Sequence, residues 1–354
     1  MTALTPERNL RIGIAGTGFG AAVHLPALQS LPGVTIVAIA GARQEKAAEI
    51  AGRYGIARSC QGIAALLAED LDAVTLALPP DLAETAASLA LDKGLAVLAE
   101  KPLASHAEAA EALARRATAR TAVVDFEFAE LDCFRALHGL IERGELGAIE
   151  RIEIAWATLS YAHRHRLWSW KTDEARDGGV LVLIGTHVLY LTEWLFGTIA
   201  VTAADIDNHA TQQFAPPGGI GAADSAILHA RTTAGAPIAI RLCNSTTGSP
   251  CHRWEIAGER GRAVLENLTS DPVAGFRLSL AVAGGPLKEV LKEPAASGDS
   301  RLLPFRTLAE RFVAAVRASA PCQPDFTAGA RVQRLVADIE ALRRGGEAEL
   351  SARA

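Results

Sequence analysis

Cysteine is scarce and unpatterned in this chain of 354 residues. The five, Cys60, Cys133, Cys243, Cys251 and Cys322, are odd in number and scattered. A disulfide framework is thereby excluded, and no spacing among them matches a zinc site; reduced thiols and a cytoplasmic location are expected. Cys243 and Cys251 are spaced to approach each other across a hairpin. No block of basic residues occurs, and the net charge is −5 with an isoelectric point near 6.0. Neither nucleic acid nor an anionic membrane surface is therefore expected as a partner. No apolar run approaches the roughly 18 residues of a membrane span. Met1–Leu10 has no apolar core ahead of a small-residue cleavage site, so no secretory leader is expected. Internal repeats and long low-complexity tracts are lacking as well.

What the chain does have is apolar mass. It is 49% hydrophobic and 21% charged, enough to bury a large core, and its length suits two domains. Up to residue 125, short apolar runs alternate with helical patterns. Strands are expected at Arg11–Gly16, Val34–Ala40, Ala73–Leu78, Leu95–Ala99 and Thr121–Asp125, with helices running to Leu31 and over Gln44–Arg53, Asp81–Asp92 and Ser105–Ala117. Strands alternating with helices give right-handed βαβ units and a doubly wound parallel sheet. The remainder, 126–354, reads as an α+β domain. Helices are expected at Leu131–Arg143 and Val180–Phe196 and strands at Ile149–Thr158 and from Ile199 onward. The latter include the hairpins Ala226–Thr233 with Ile238–Cys243 and Arg253–Ala257 with Ala263–Glu266. Two closing helices, near Phe305–Ala318 and Ala328–Arg343, have room to return to the first domain. His209–Ala222 and Glu293–Ser300 are expected to be the mobile loops.

Gly16-Thr17-Gly18-Phe19-Gly20-Ala21 follows the first strand and opens the first helix, fitting G-x-G-x-x-G/A. The first glycine allows the tight turn, the second lets backbone approach a pyrophosphate, and the third lets helix pack on strand. Helix N–H groups and the positive end of the helix then face the phosphates. The second strand ends Gly41-Ala42-Arg43, where an NAD enzyme usually carries an acid for the ribose hydroxyls. Gly41 leaves space and Arg43 offers charge for a 2′-phosphate, so NADP(H) is favoured over NAD(H). Leu78 and Pro79 at the third strand end, with Glu100 and Lys101 at the fourth, complete the expected cofactor contacts.

Lys101 lies where open α/β sheets bind ligands, at a strand's carboxyl end. There it can protonate a carbonyl oxygen as it is reduced. His187 is a polar residue in the apolar helix 178–196, with Thr186 before it and Tyr190 one turn on, sharing its face. The stretch from Tyr161 to Trp170, with His163 and Trp168, is rich in groups that line substrate pockets, and Glu127 joins them as a substrate-binding candidate. No metal is expected: the histidines there have no carboxylate or cysteine to complete a ligand set.

Four stretches, Ile12–Leu28, Leu95–Ala104, Ile141–Gly147 and Gly178–Gly197, together resemble the Gfo/Idh/MocA family of oxidoreductases. The resemblance implies a Rossmann domain followed by an open-faced sheet domain whose outer face forms the interface of a homodimer or homotetramer. It implies hydride transfer between nicotinamide and a sugar, cyclitol or related carbonyl compound. Lys101 matches the family's catalytic lysine and His187 its catalytic histidine. Two positions depart from the pattern. The family aspartate one turn before the histidine is Leu183 here, and the one three residues after it is Tyr190. Leucine can neither orient a histidine nor stabilise its charged form. Asp125, Glu127, Asp173 and Asp177 are the open candidates to replace the lost carboxylate. Carbonyl reduction is favoured over polyol oxidation. The alternatives are reduction of an imine or other non-sugar C=X bond, or cofactor binding with impaired catalysis.

Overall fold

The computed structural model describes residues 9–295 and 298–353, with side chains through 344. The chain divides into two compact units, the first formed by 1–127 with 301–333 and the second by 128–300 with 334–354.

In the first unit the chain runs β1 (Leu10–Ala15), α1 (Leu25–Gln29), β2 (Val34–Gly41), α2 (Gln44–Tyr54), β3 (Arg58–Gln61), α3 (Gly62–Leu66), β4 (Ala73–Leu76), α4 (Pro80–Asp92), β5 (Ala96–Ala99), α5 (Ala107–Ala117) and β6 (Ala122–Val124). The six strands form one sheet in the order β3-β2-β1-β4-β5-β6, and every pairing is parallel. Strand order reverses between β1 and β4, the switch point outside which such sheets hold dinucleotides. β4, β5 and β6 are buried at every residue, as expected of a sheet covered on both faces. The β3–α3 unit escapes a reading of the sequence because Arg-Ser-Cys-Gln buries only Cys60 and so shows no hydrophobic pattern.

The second unit starts with α6 (Asp132–Glu142), β7 (Ile149–Ala157), α7 (Tyr161–His165) and α8 (Thr186–Phe196). It continues through β8 (Ile199–Asp207), α9 (His209–Gln212), β9 (Ser225–Thr232), β10 (Pro237–Cys243), β11 (Cys251–Gly258), β12 (Gly261–Asn267), β13 (Arg277–Val282) and β14 (Lys288–Lys292). Its eight-stranded sheet has the order β14-β13-β12-β11-β7-β10-β9-β8 and is antiparallel except at β7–β10. Alternate residues such as Ile152, Ile154, Trp254 and Ile256 are buried, whereas Arg253, Glu255 and Glu266 are only partly covered. Arg253 pairs with Glu255 at 2.9 Å and also with Glu266, and Arg262 reaches Glu255 at 3.1 Å. Two helices close the chain, α10 (Leu302–Ala318) and α11 (Phe326–Arg353). Phe305, Leu308 and Phe312 of α10 are fully buried in the core of the first unit, beside Ile12, Ile14 and Leu28.

Three expectations change. Cys243 and Cys251 do not share a hairpin: β7 runs between their strands, both pair with Ala157 in register, and both thiols are free. The 209–222 segment is tied down rather than loose. Thr211 is buried and bonded to Asp224, and Gln212 and Gly221 exchange contacts across it, including a 2.7 Å bond from Gly221 N–H. Of the second expected mobile loop, Glu293 is buried and accepts the Cys133 N–H at 2.6 Å, whereas 296–297 lie outside the described residues. The helical stretch Glu174–Phe196 is long and apolar enough to cross a membrane by length and composition. Its most apolar window is 78% buried, so the core of the second unit accounts for that apolarity.

Candidate active site

In the first unit the site grows from the turn after β1. Gly16 has φ +124°, and a Cβ there would stand 2.3 Å from the Ala77 carbonyl oxygen, so only glycine passes. A Cβ on Gly20 would press on Ala77 at 3.2 Å, but one on Gly18 would meet nothing within 4 Å. Gly18 thus presents bare, exposed backbone, which is what a pyrophosphate needs beside a helix start. Thr17 is half-buried with its methyl 2.6 Å from where a Gly41 side chain would begin. Ala21 is buried, Leu78 and Pro79 are half-buried, and Arg43 is exposed at the start of α2. These residues fit a dinucleotide. The Phe19 ring lies under the Arg301 guanidinium at 5.1 Å. Arg301, remote in sequence, carries no motif that would have marked it.

The helix opening this loop is not α-helical at first. The Leu25 N–H bonds to the Gly20 carbonyl, five residues back, and Pro26, which has no N–H, follows directly. This wide turn delivers His24 into the interior with no exposed surface. Its ring stacks on Phe305 at 4.1 Å, and its Nε2 contacts Glu100 Oε1 at 3.0 Å. Glu100 and Lys101 follow β5; Asp125 and Glu127 follow β6, with the Asp125 N–H on the Ala99 carbonyl at 2.8 Å. Parallel neighbours therefore bring three carboxyls and one amine to the same sheet end. His24 carries the same sequence signal as His187, a polar residue in an apolar helix.

The electrostatics follow from burial. Burial pushes Asp125 well above the usual carboxylate range, and the charges of Glu127 and Glu100 add to it. Glu127, also buried, rises to about 7, with Glu100 charge assisting and Lys101 opposing. Burial would raise Glu100 too, but the hydrogen bond and charge of His24, a bond with Asp125 and the charge of Lys101 together hold it below its ordinary value. Acids with pKa values pushed apart in one crevice mark functional sites.

In the second unit, Gly178 and Gly179 lead into the helix of His187. A Cβ on Gly178 would fall 2.3 Å from the Trp170 carbonyl oxygen. A second wide turn follows, in which the Thr186 N–H bonds to Leu181 O. Thr186 is buried, and its hydroxyl donates to the Val182 carbonyl at 2.9 Å. His187 is buried against Phe128, ring centroids 4.9 Å apart, and Tyr190 is buried one turn on. Leu183 is half-buried. His252, unmarked by any motif, stacks on Trp156 at 3.9 Å and accepts the Trp254 indole N–H at 3.0 Å; burial lowers its pKa to about 3, so it stays neutral. His163 uses both ring nitrogens internally, on Ser160 Oγ at 2.8 Å and Thr211 Oγ1 at 2.9 Å. Tyr161 is exposed and Trp168 half-buried. Asp173 caps a short turn by accepting the Ala175 N–H, and Asp177 ends that turn with φ 52°. Of the four candidate replacement carboxylates, Asp125 and Glu127 lie with Lys101 in the first unit, and Asp173 and Asp177 belong to the second.

The profile of the oxidoreductase family with an NAD-binding Rossmann fold, GFO/IDH/MocA, matches residues 10–128, and that of the GFO/IDH/MocA C-terminal domain matches 134–264. The chain belongs to the GFO/IDH/MocA oxidoreductase family. An uncharacterised oxidoreductase of Synechocystis sp. is 31% identical over 348 residues, 94% of each chain. The dTDP-3,4-didehydro-2,6-dideoxy-alpha-D-glucose 3-reductase of Streptomyces violaceoruber is 30% identical over 78% of each. Among solved structures, levoglucosan dehydrogenase in complex with NADH and levoglucosan superposes with a TM-score of 0.84 at 22% identity, covering 95% of this chain and 97% of that one. A 3-ketoreductase from Actinomadura kijaniata in complex with NADP has a TM-score of 0.77 at 20% identity, over 96% and 98%. At these identities the two structures share the GFO/IDH/MocA fold. Membership of the family makes the chain an NAD(P)-dependent oxidoreductase.

Proposed function

We propose that this enzyme reduces a carbonyl group on a sugar, cyclitol or related compound, with NADP(H) favoured as its hydride carrier and Lys101 as its proton donor. The nicotinamide, when bound, supplies the hydride. The observation that carries the reading is the placement of Lys101 after β5, close enough to three acidic side chains for its charge to act on each. Negative charge on the neighbouring Glu100 favours the ammonium form, so a proton stands ready at Nζ for an oxygen that gains negative charge. Glu127, near 7, serves as a substrate-hydroxyl partner in either protonation state. Thr186, His187 and Tyr190, with Tyr161, His163 and Trp168, are the residues of the second unit assigned to substrate. Relatives named as a deoxysugar 3-reductase, D-apiose dehydrogenase and levoglucosan dehydrogenase support the sugar class. The preference for NADP(H) rests on Gly41, which offers no acid, and on exposed Arg43. Assembly as a homodimer or homotetramer through the partly covered outer face of the eight-stranded sheet belongs to the same reading.

Two measurements test it. Lys101→Met is expected to lower kcat for carbonyl reduction about 100-fold or more while retaining NADPH binding; unchanged turnover would remove the assigned role. Arg43→Ala is expected to raise KM for NADPH about tenfold with little change for NADH. Equal effects on both carriers would reject the phosphate contact.

A further inference from the structure

Behind Lys101, three ionisable side chains of the first unit meet away from solvent. His24 and Asp125 have no exposed side-chain surface and Glu100 has 15%. His24 Nε2 sits 3.0 Å from Glu100 Oε1, and Asp125 Oδ2 is 3.7 Å from the same nitrogen, beyond bonding range. Among the described residues no N–H or O–H donor reaches either oxygen of Asp125. One ligand atom each of His24, Glu100 and Asp125 nevertheless lies within 4.8 Å of the others, and the Glu100 carboxyl acts on that of Asp125. Two facing carboxylates would repel, and a buried carboxylate with no donor would bear a large desolvation cost. Both difficulties vanish when Asp125 is itself the donor, its O–H directed to Glu100. Glu100 then accepts from Asp125 on one side and from the His24 Nε2–H on the other.

We propose that Asp125, held as a neutral acid, and His24 are positioning residues that confine one negative charge to Glu100 and so keep the adjacent Lys101 ammonium charged for proton donation. The assignment rests on Lys101 being the proton donor. The charged or titratable groups acting on this cluster are Lys101 from the β5 end, Glu127 from the β6 end, with Arg301 at the start of α10 acting on Glu127.

The test is the titration of Lys101, followed by NMR in the full-length enzyme labelled at lysine Cε, with Lys101→Met identifying the signal. Glu100→Gln is expected to lower the Lys101 midpoint by about one pH unit or more, because a neighbouring negative charge is lost. Asp125→Asn replaces one neutral group by another and is expected to leave the midpoint where it was. His24→Leu is expected to lower it by less than Glu100→Gln does. A fall in Asp125→Asn equal to that in Glu100→Gln would show Asp125 ionised and overturn the proposal, as would an unmoved midpoint in Glu100→Gln. Stoichiometric binding of Zn²⁺ that is abolished in the His24 variant would overturn it too, making the cluster a metal site. In wild type, a carbon-13 carboxyl signal of Asp125 at the protonated position at pH 7 supports the proposal without any substitution, and one already at the carboxylate position at pH 5 refutes it. Failure of the parent reading is separate: Lys101→Met that still reduces carbonyls removes the proton-donor role without changing these midpoints.

Discussion

Glu127 shows how a single residue's burial becomes a property of the whole enzyme. Its carboxyl is raised from 4.5 to about 7, first by burial and then by the charge of Glu100. The folded state therefore binds a proton more tightly than the unfolded chain does. The stabilisation this gives is complete below about pH 4.5 and is lost as pH rises through 7. Glu127→Gln, which keeps the shape and removes the titration, is expected to match wild type near pH 4.5. By pH 8 it is expected to be more stable by on the order of 3 kcal/mol. Urea unfolding of both proteins at the two pH values measures this, and a difference independent of pH would show that Glu127 is ionised at no cost. At this scale the sequence was legible where a residue sat in a spaced motif. Lys101 follows an apolar strand, and His187 lies in the apolar helix that Gly178 and Gly179 introduce. Asp125 was visible as a candidate carboxylate but its neutral form was not, because that depends on how far Glu100 and Glu127 intrude once the strands pair. Arg301 was not visible at all: its place over Phe19 is set by a helix from the far end of the chain.

Elements were legible in proportion to their hydrophobic period. The buried strands β1, β2, β4, β5 and β6 declare themselves as apolar runs, and their parallel order follows from the helices between them. The wide turns before His24 and His187 do not declare themselves, since a bond spanning five residues leaves no mark on composition. The glycine loop allows a sharper statement, because its glycines do different physical work. Gly16→Ala forces a Cβ against the Ala77 carbonyl at a positive φ and is expected to cost the apo protein about 2 kcal/mol or more. Gly18→Ala meets nothing within 4 Å, so the apo melting temperature is expected to hold while NAD(P)H affinity falls about tenfold or more. Thermal melts and NAD(P)H fluorescence titrations separate the two. Equal loss of stability in both variants would mean that Gly18 serves the fold and not the cofactor.

For the whole molecule, the consequential feature is that the chain leaves the first unit at residue 127 and returns to it at 301. The sequence showed a change of pattern near 125 and two closing helices, but not which core those helices complete, because an amphipathic helix records that it has a buried face and not what buries it. Phe305, Leu308 and Phe312 have no exposed surface and share a core with Ile12 and Ile14 of β1, the strand that ends in the glycine loop. The nucleotide-binding sheet is therefore incomplete until the last part of the chain has docked, and its stability is tied to residues remote from any motif. Phe312→Ala removes a large side chain from that core and is expected to cost about 3–5 kcal/mol, the range for a phenylalanine cavity. Phe312 belongs to the packed core and not to the glycine loop, so NAD(P)H affinity at low temperature is expected to persist. In a urea titration the loss of cofactor fluorescence is expected to move to lower denaturant together with the loss of helix signal. Were the cofactor signal to keep its wild-type midpoint while helix content fell early, α10 would be an appendage, and the first unit would fold from residues before 128 alone.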